Sequence, residues 1–213
     1  MATASKSKAR EDGGDEADAR DRILDAAFSA FMEGGYALTT TLEIATRAHV
    51  SKRELYARVG NKQEMLIACI SARARRLDVP VDLPVMHDRK TLEQVLTSFG
   101  TKLVHEVSDP TVVAVFRLAI AEAVRAPEVA RALESVGRET SRAVLRRIIA
   151  EAQTTGLLTG EPAGLAEQFV GLLWRDLMVS LLLGVSERPT PVEIDARARG
   201  AAVAFLQLHP QPN

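Results

Sequence analysis

The sequence predicts an all-α protein in two parts, a short N-terminal helical module and a longer helical body, and three observations carry that prediction. Hydrophobic residues make up 46% of the 213 but aromatics only 4%, so cores of Ala, Leu and Val side chains are expected, which suits packed helices better than sheets. Apolar residues recur at helical spacing through most of the chain, and no stretch alternates as a strand would. Small polar residues and prolines stand where helices would start, and glycines where they would stop.

Residues 1–18 are polar, with Lys6, Lys8 and Arg10 followed by Glu11, Asp12, Asp15, Glu16 and Asp18. This composition reads as a disordered tail, with a basic arm touching nucleic acid as the alternative. Ile23, Leu24, Ala27, Phe28 and Phe31 then form one apolar stripe, and Gly34-Gly35 ends that helix. Three short helices follow. Thr40 with Glu43, Ser51 with Glu54, and Asn61 with Glu64 each fit a capping box or its close variant, in which a short polar side chain accepts from the N3 amide while the glutamate reaches back to the cap. Three such matches within about 25 residues make a strong start signal. Further on, helices are expected over Thr91–Val107, Pro110–Arg125, Pro127–Thr154, Pro162–Leu183 and Pro191–Leu208, with a loop over Val79–Pro84. The expected division is therefore a tail (1–18), a first domain (19–66), a second (67–208) and a short tail (209–213).

Thr40 to Val59 reads as helix, turn, helix. Leu42, Ile44 and Ala45 would be buried on the first helix, and Leu55 and Val59 on the second, with Ala48-His49-Val50 turning between them. Lys52, Arg53, Tyr56 and Ala57 are left on the outer face of the second helix. A recognition helix sets its N-terminal residues against base edges in the major groove, where Lys or Arg donates to guanine O6 and N7. The net charge is only −1, so positive charge must be concentrated locally to hold DNA. From Thr46 to Glu64 it is: Arg47, Lys52, Arg53, Arg58 and Lys62 face only Glu54 and Glu64. The alternative for this segment is an ordinary solvated helical face.

These residues carry a resemblance. Ile23-Leu24-Asp25-Ala26-Ala27, Phe31, Gly35-Tyr36, Thr39-Thr40, Ile44-Ala45, Ala48, Val50-Ser51, Leu55-Tyr56, Lys62, Glu64 and Leu66 resemble, in order and without gaps, the TetR family of bacterial transcriptional regulators. Phe116-Arg117-Leu118 and Gln168-Phe169-Val170-Gly171-Leu172-Leu173 more weakly resemble its AefR-like C-terminal domains. The resemblance implies phosphate contacts at Thr40, Ser51, Tyr56 and Lys62, base reading by Lys52 and Arg53, and a packing role for Tyr36. Arg47 and Ala57 complete the expected DNA-binding set. Departures from the family pattern are His49 in place of a turn glycine, Glu54 in place of a threonine, Arg58-Val59 in place of His or Tyr followed by Phe, and Thr41 in place of an aliphatic.

The resemblance further implies a repressor that binds operator DNA as a homodimer and is released by a small-molecule effector. Leu165, Phe169, Leu172, Leu173 and Leu181 make their segment apolar on most sides, and with Val203 they are the expected dimer interface, with burial in the monomer core as the alternative. Phe99, His105, Phe116, Arg117, Trp174 and Met178 are the candidates for the effector cavity, each also readable as plain core. Arg117, Glu122 and Arg175 could bind a polar ligand group or pair with one another or with Asp176. No catalytic residue, metal site or cofactor is expected, since His49, His87, His105 and His209 are scattered and no HExxH, P-loop or GxSxG pattern occurs. A helical enzyme and a helical adaptor without DNA are the alternatives. A single cysteine, Cys69, fits a reducing compartment. With no apolar N-terminal run to act as a secretory signal, a cytoplasmic protein is expected. The apolar stretch Phe169 to Val185 holds Arg175 and Asp176 at its middle, which argues for burial in protein rather than membrane.

Overall fold

A computed structural model describes residues 4–74 and 86–211, with side chains described over 18–72 and 86–211. The loop expected over Val79–Pro84 lies outside the described residues. Among those described, the secondary structure is helical, and no helix is long and apolar enough to cross a membrane. The chain forms two compact units, residues 1–72 with 118–136, and residues 73–117 with 137–213. The division is discontinuous along the sequence.

In the first unit, α1 (Ala4–Gly34) is longer than the apolar stripe alone requires and takes in residues expected as a tail. Ala, Lys, Arg and Glu are good helix formers, and Arg22 pairs with Asp18 one turn back at 2.7 Å. Ile23, Ala27, Ala30 and Phe31 are fully buried against the helices that follow. These are α2 (Thr41–Arg47), α3 (Lys52–Arg58) and α4 (Lys62–Ala74). Ile44, Ala45 and Leu55 face inward as expected, but Leu42 is 63% exposed. On a seven-residue helix whose inner face is already held by Ile44 and Ala45, Leu42 falls on the outer side.

The second unit contains α5 (Arg89–Val107), most of α6 (Pro110–Glu122), α8 (Glu139–Thr154), α9 (Pro162–Trp174), α10 (Leu177–Leu183) and α11 (Pro191–Leu208). The helix expected over Pro127–Thr154 is interrupted. After α7 (Pro127–Ala132), residues Leu133–Arg138 widen into a π turn before α8 begins. The buried face passes there from Val129, Ala132 and Leu133 to Leu145, Ile148, Ile149 and Ala152.

The helix expected over Pro162–Leu183 also breaks, at Arg175, whose φ of 45° lies in the left-handed region. The break is stabilised from elsewhere in the chain: Arg197 on α11 donates to the carbonyls of Leu173 and Trp174, at 3.2 Å each, and so satisfies the end of α9. Arginine caps other helix ends in this unit in the same way. Arg117 donates to the carbonyls of Leu181 and Leu182 at the end of α10, and Arg89 to those of Leu206 and His209 at the end of α11. Helix starts are held by Asp88, Glu161 and the Thr190–Glu193 capping box. Backbone amides donated to Asp88 and Glu161 hold both carboxyls below the ordinary carboxylate range.

Candidate nucleic-acid interface and effector cavity

The three predicted helix starts form, with one difference among them. Thr40 Oγ1 accepts from the Glu43 amide at 3.1 Å, and Ser51 Oγ from the Glu54 amide at 3.0 Å. Only at Asn61 is the box reciprocal, with the Asn61 amide donating to Glu64 Oε2 at 2.6 Å. Glu43 turns instead to Arg47 (2.8 Å), and Glu54 to Arg58 (2.9 Å). The carboxylate that departs from the family pattern at position 54 is thus paired within its own helix.

The turn between α2 and α3 places His49 at φ 54°, where the family pattern has glycine. A left-handed histidine is strained; here the turn is held by Val50 N–H donating to the Ala45 carbonyl at 3.0 Å. Behind it, Leu55 is fully buried and anchors α3. Ser51, Lys52, Arg53, Tyr56 and Ala57 are all exposed on one side of that anchor. The Lys52 ammonium stands 6.0 Å from the centre of the Tyr56 ring, and the Tyr56 hydroxyl meets Thr41 Oγ1 at 3.3 Å. The threonine at 41, an aliphatic position in the family pattern, therefore gives Tyr56 a polar rest.

Two of the expected DNA contacts are otherwise engaged. Arg47 braces α1 against α2, bonding Glu33 and Glu43 at 2.8 Å each, and its guanidinium is held charged beyond its ordinary range, first by the Glu33 hydrogen bond. Lys62 is turned inward, its ammonium donating to the carbonyls of Tyr36 (2.9 Å), Ala37 (3.3 Å) and Thr39 (3.1 Å) while lying 4.5 Å over the Tyr36 ring. An ammonium has three N–H donors, and three carbonyls take them. Lys62 is a clamp on the loop after α1, in contrast to the phosphate contact the resemblance implies. Lys62→Met is expected to lower the stability of the unit by about 1–3 kcal/mol while leaving the slope of log affinity against log salt unchanged. A slope reduced by about one unit would return Lys62 to the phosphate.

The same loop is held from its other side by Glu122, which sequence reasoning left among possible ligand or ion-pair groups. Its Oε1 accepts from the Ala37 amide at 3.1 Å, and its Oε2 is buried with no hydrogen-bond partner. Tyr36 packs 5.3 Å from Phe31, and its phenol titrates above its ordinary value of 10.0, chiefly because it is buried, with Glu128 and Glu122 adding to the shift.

In the second unit, Phe99, Phe116, Trp174 and Met178 converge on one cavity of about 640 Å³. His105 and Arg117 are not in its wall. His105 is exposed, two residues off the Leu103–Val107 face of α5, and borders a separate open groove with Thr101 and Pro191. Arg117 is spent on the end of α10. Of the expected dimer residues, Leu165, Phe169, Leu173 and Leu181 are buried within the unit's own core, with Phe169 and Leu173 fully inaccessible. Leu172 and Val203 are half-buried. An apolar helix surrounded by its own chain needs no partner chain to cover it, which sequence pattern alone did not distinguish.

Comparison with known proteins agrees with this architecture. Residues 23–69 match the model of bacterial regulatory proteins of the tetR family, and residues 94–209 that of the AefR-like transcriptional repressor C-terminal domain. Over 50 residues the chain is 44% identical to the uncharacterized HTH-type transcriptional regulator YvkB of Bacillus subtilis (strain 168), a match spanning 24% of this chain and about a quarter (26%) of that relative. A TetR transcriptional regulator from Agrobacterium tumefaciens is 30% identical, superposes with a TM-score of 0.74 and matches over 90% of this chain and 95% of its own. The flavonoid-responsive regulator FrrA is 29% identical, with a TM-score of 0.76, over 92% and 98% of the two chains. With both domain models matched in order and the fold shared over nearly its full length, this chain belongs to the TetR family of helix-turn-helix transcriptional regulators.

Proposed function

We propose that the protein is a repressor that binds its operator as a homodimer through α3 and is released when a small molecule fills the cavity of the second unit. The observation that carries the reading is the first turn of α3, where Lys52 and Arg53 stand exposed beside Ser51 while Leu55 fixes the helix from behind. Lys52 and Arg53 read guanine edges in the major groove; Thr40, Ser51 and Tyr56 meet the backbone, and Ala57 permits close approach. FrrA is described as flavonoid-responsive, which supports a small-molecule effector here.

Two recognition helices must lie about 34–36 Å apart to enter successive major grooves, and the dimer sets that distance. Its interface is the outward face of α11, where Val192, Ala196, Gly200, Val203 and Gln207 lie on one side. Selection of bound sites from random DNA tests the reading, with a palindromic site of that half-site spacing as the expected product. Lys52→Ala or Arg53→Ala should relax preference at one position per half-site and cost about 1–3 kcal/mol there. Unaltered site preference in both variants would remove them from base reading.

A further inference from the structure

One flank of α2 carries a leucine that the fold leaves uncovered. Ile44, Ala45 and Ala48 face the core of the first unit. Arg47, to one side of them, is drawn to Glu33 of α1 and to Glu43. Leu42 and Thr46, one turn apart, occupy the opposite flank. Leu42 is 63% exposed, and the Thr46 hydroxyl donates back to the Leu42 carbonyl at 2.9 Å, so its donor is spent within its own helix. The residue before Leu42 ties α2 to α3. Thr41 Oγ1 meets the Tyr56 hydroxyl at 3.3 Å, and Tyr56 shares the outer face of α3 with Lys52, one turn earlier. Leu42 therefore stands at the edge of the surface that carries Lys52 and Tyr56.

A leucine side chain has no charge for a phosphate and no donor or acceptor for a base edge. The apolar group that the major groove presents is the C5 methyl of thymine. We propose that Leu42 is a specificity-determining residue that selects thymine in each half-site by packing on its C5 methyl, at a position that Lys52 and Arg53 do not read. This inference rests on the reading of α3 as the base-reading helix and adds a contact from α2 to it. An exposed apolar side chain gains by leaving water in the complex, and the gain depends on the methyl that covers it.

The test uses the full-length protein and the site selected from random DNA. Each thymine is replaced in turn, in both half-sites, by deoxyuridine, which removes the methyl and keeps the Watson–Crick pair. At one thymine whose preference survives both Lys52→Ala and Arg53→Ala, wild type should lose about fourfold in affinity per half-site, the worth of one buried methyl group. Leu42→Ala should bind the unmodified site more weakly by at least that factor and be indifferent to the methyl at that thymine. Its slope of log affinity against log salt should equal that of wild type, because leucine displaces no counterion. Its melt should also match, since Leu42 is exposed and alanine is a good helix former. A methyl effect that persists in Leu42→Ala belongs to α3 itself and overturns the assignment, as does a site with no methyl effect at any thymine. Replacing the guanines of the same site by 7-deazaguanine separates this failure from a failure of α3. If the methyl test fails, affinity lost with 7-deazaguanine leaves the α3 reading standing, and affinity unaltered at every guanine overturns that reading as well.

Discussion

Leu173→Glu is expected to unfold the second unit and not to yield a folded monomer. Leu173 is fully buried among Phe99, Phe169 and Ala198 in the unit's principal core. Its Cδ1 lies 3.2 Å from where a Cβ would stand on Gly100, so α5 passes directly against it. A glutamate there exchanges close apolar packing for a carboxylate with no partner and no water. Burial of an unpaired charge combined with lost packing is among the few mechanisms that cost about 4–5 kcal/mol or more in a single substitution, most of what holds a marginally stable domain together. The signature is loss of the helical circular-dichroism signal or a collapse of the thermal transition. Leu173→Ala, which only opens a cavity, should cost about 2–5 kcal/mol and leave a measurable melt. A Leu173→Glu variant that melts like wild type yet sediments as a monomer would place Leu173 at an interface after all.

This case marks where sequence stops being informative. A leucine that faces its own core and one that faces a second copy obey the same periodicity, so Leu165, Phe169, Leu173 and Leu181 could not be sorted by pattern. The break at Arg175 was hidden for a related reason: its stability comes from Arg197, 23 and 24 residues away from the carbonyls it satisfies. Lys62 reaches back 23–26 residues to its carbonyls, and Glu122 bonds an amide 85 residues away. Local rules contain no term for such contacts. What local rules do contain was legible. The N-caps at Thr40, Ser51 and Asn61 act within three residues, and each forms its predicted hydrogen bond. The buried anchor Leu55 and the exposed Lys52 and Arg53 follow from helical period alone. The convergence of Phe99, Phe116, Trp174 and Met178 on one cavity came from aromatic and thioether placement on separate helices.

Gly200→Glu is the surface counterpart and should separate assembly from folding. Gly200 lies on the exposed face of α11, and a Cβ built there meets nothing within 4 Å. Within one protomer the substitution is therefore free of clash. Replacing a mid-helix glycine should stabilise α11 by up to about 1 kcal/mol, since glycine loses the most backbone freedom on entering a helix. In a twofold dimer the same patch faces itself, so each added carboxylate would meet its own copy across the interface and be desolvated as it did so. The expected variant melts at or above the wild-type temperature, sediments as a monomer at micromolar concentration, and loses operator affinity. The loss is large because a dimer holds two half-sites at once, with the second contact made at high effective concentration. Removing that advantage weakens binding by about 10²- to 10⁴-fold with no base contact altered. Non-specific affinity per protomer, measured at the same salt, should change far less, because each first unit keeps its own basic residues. A Gly200→Glu protein that remains dimeric and holds its operator as wild type does would move the interface off this face of α11. One that becomes monomeric yet binds its operator undiminished would break the link between assembly and operator recognition.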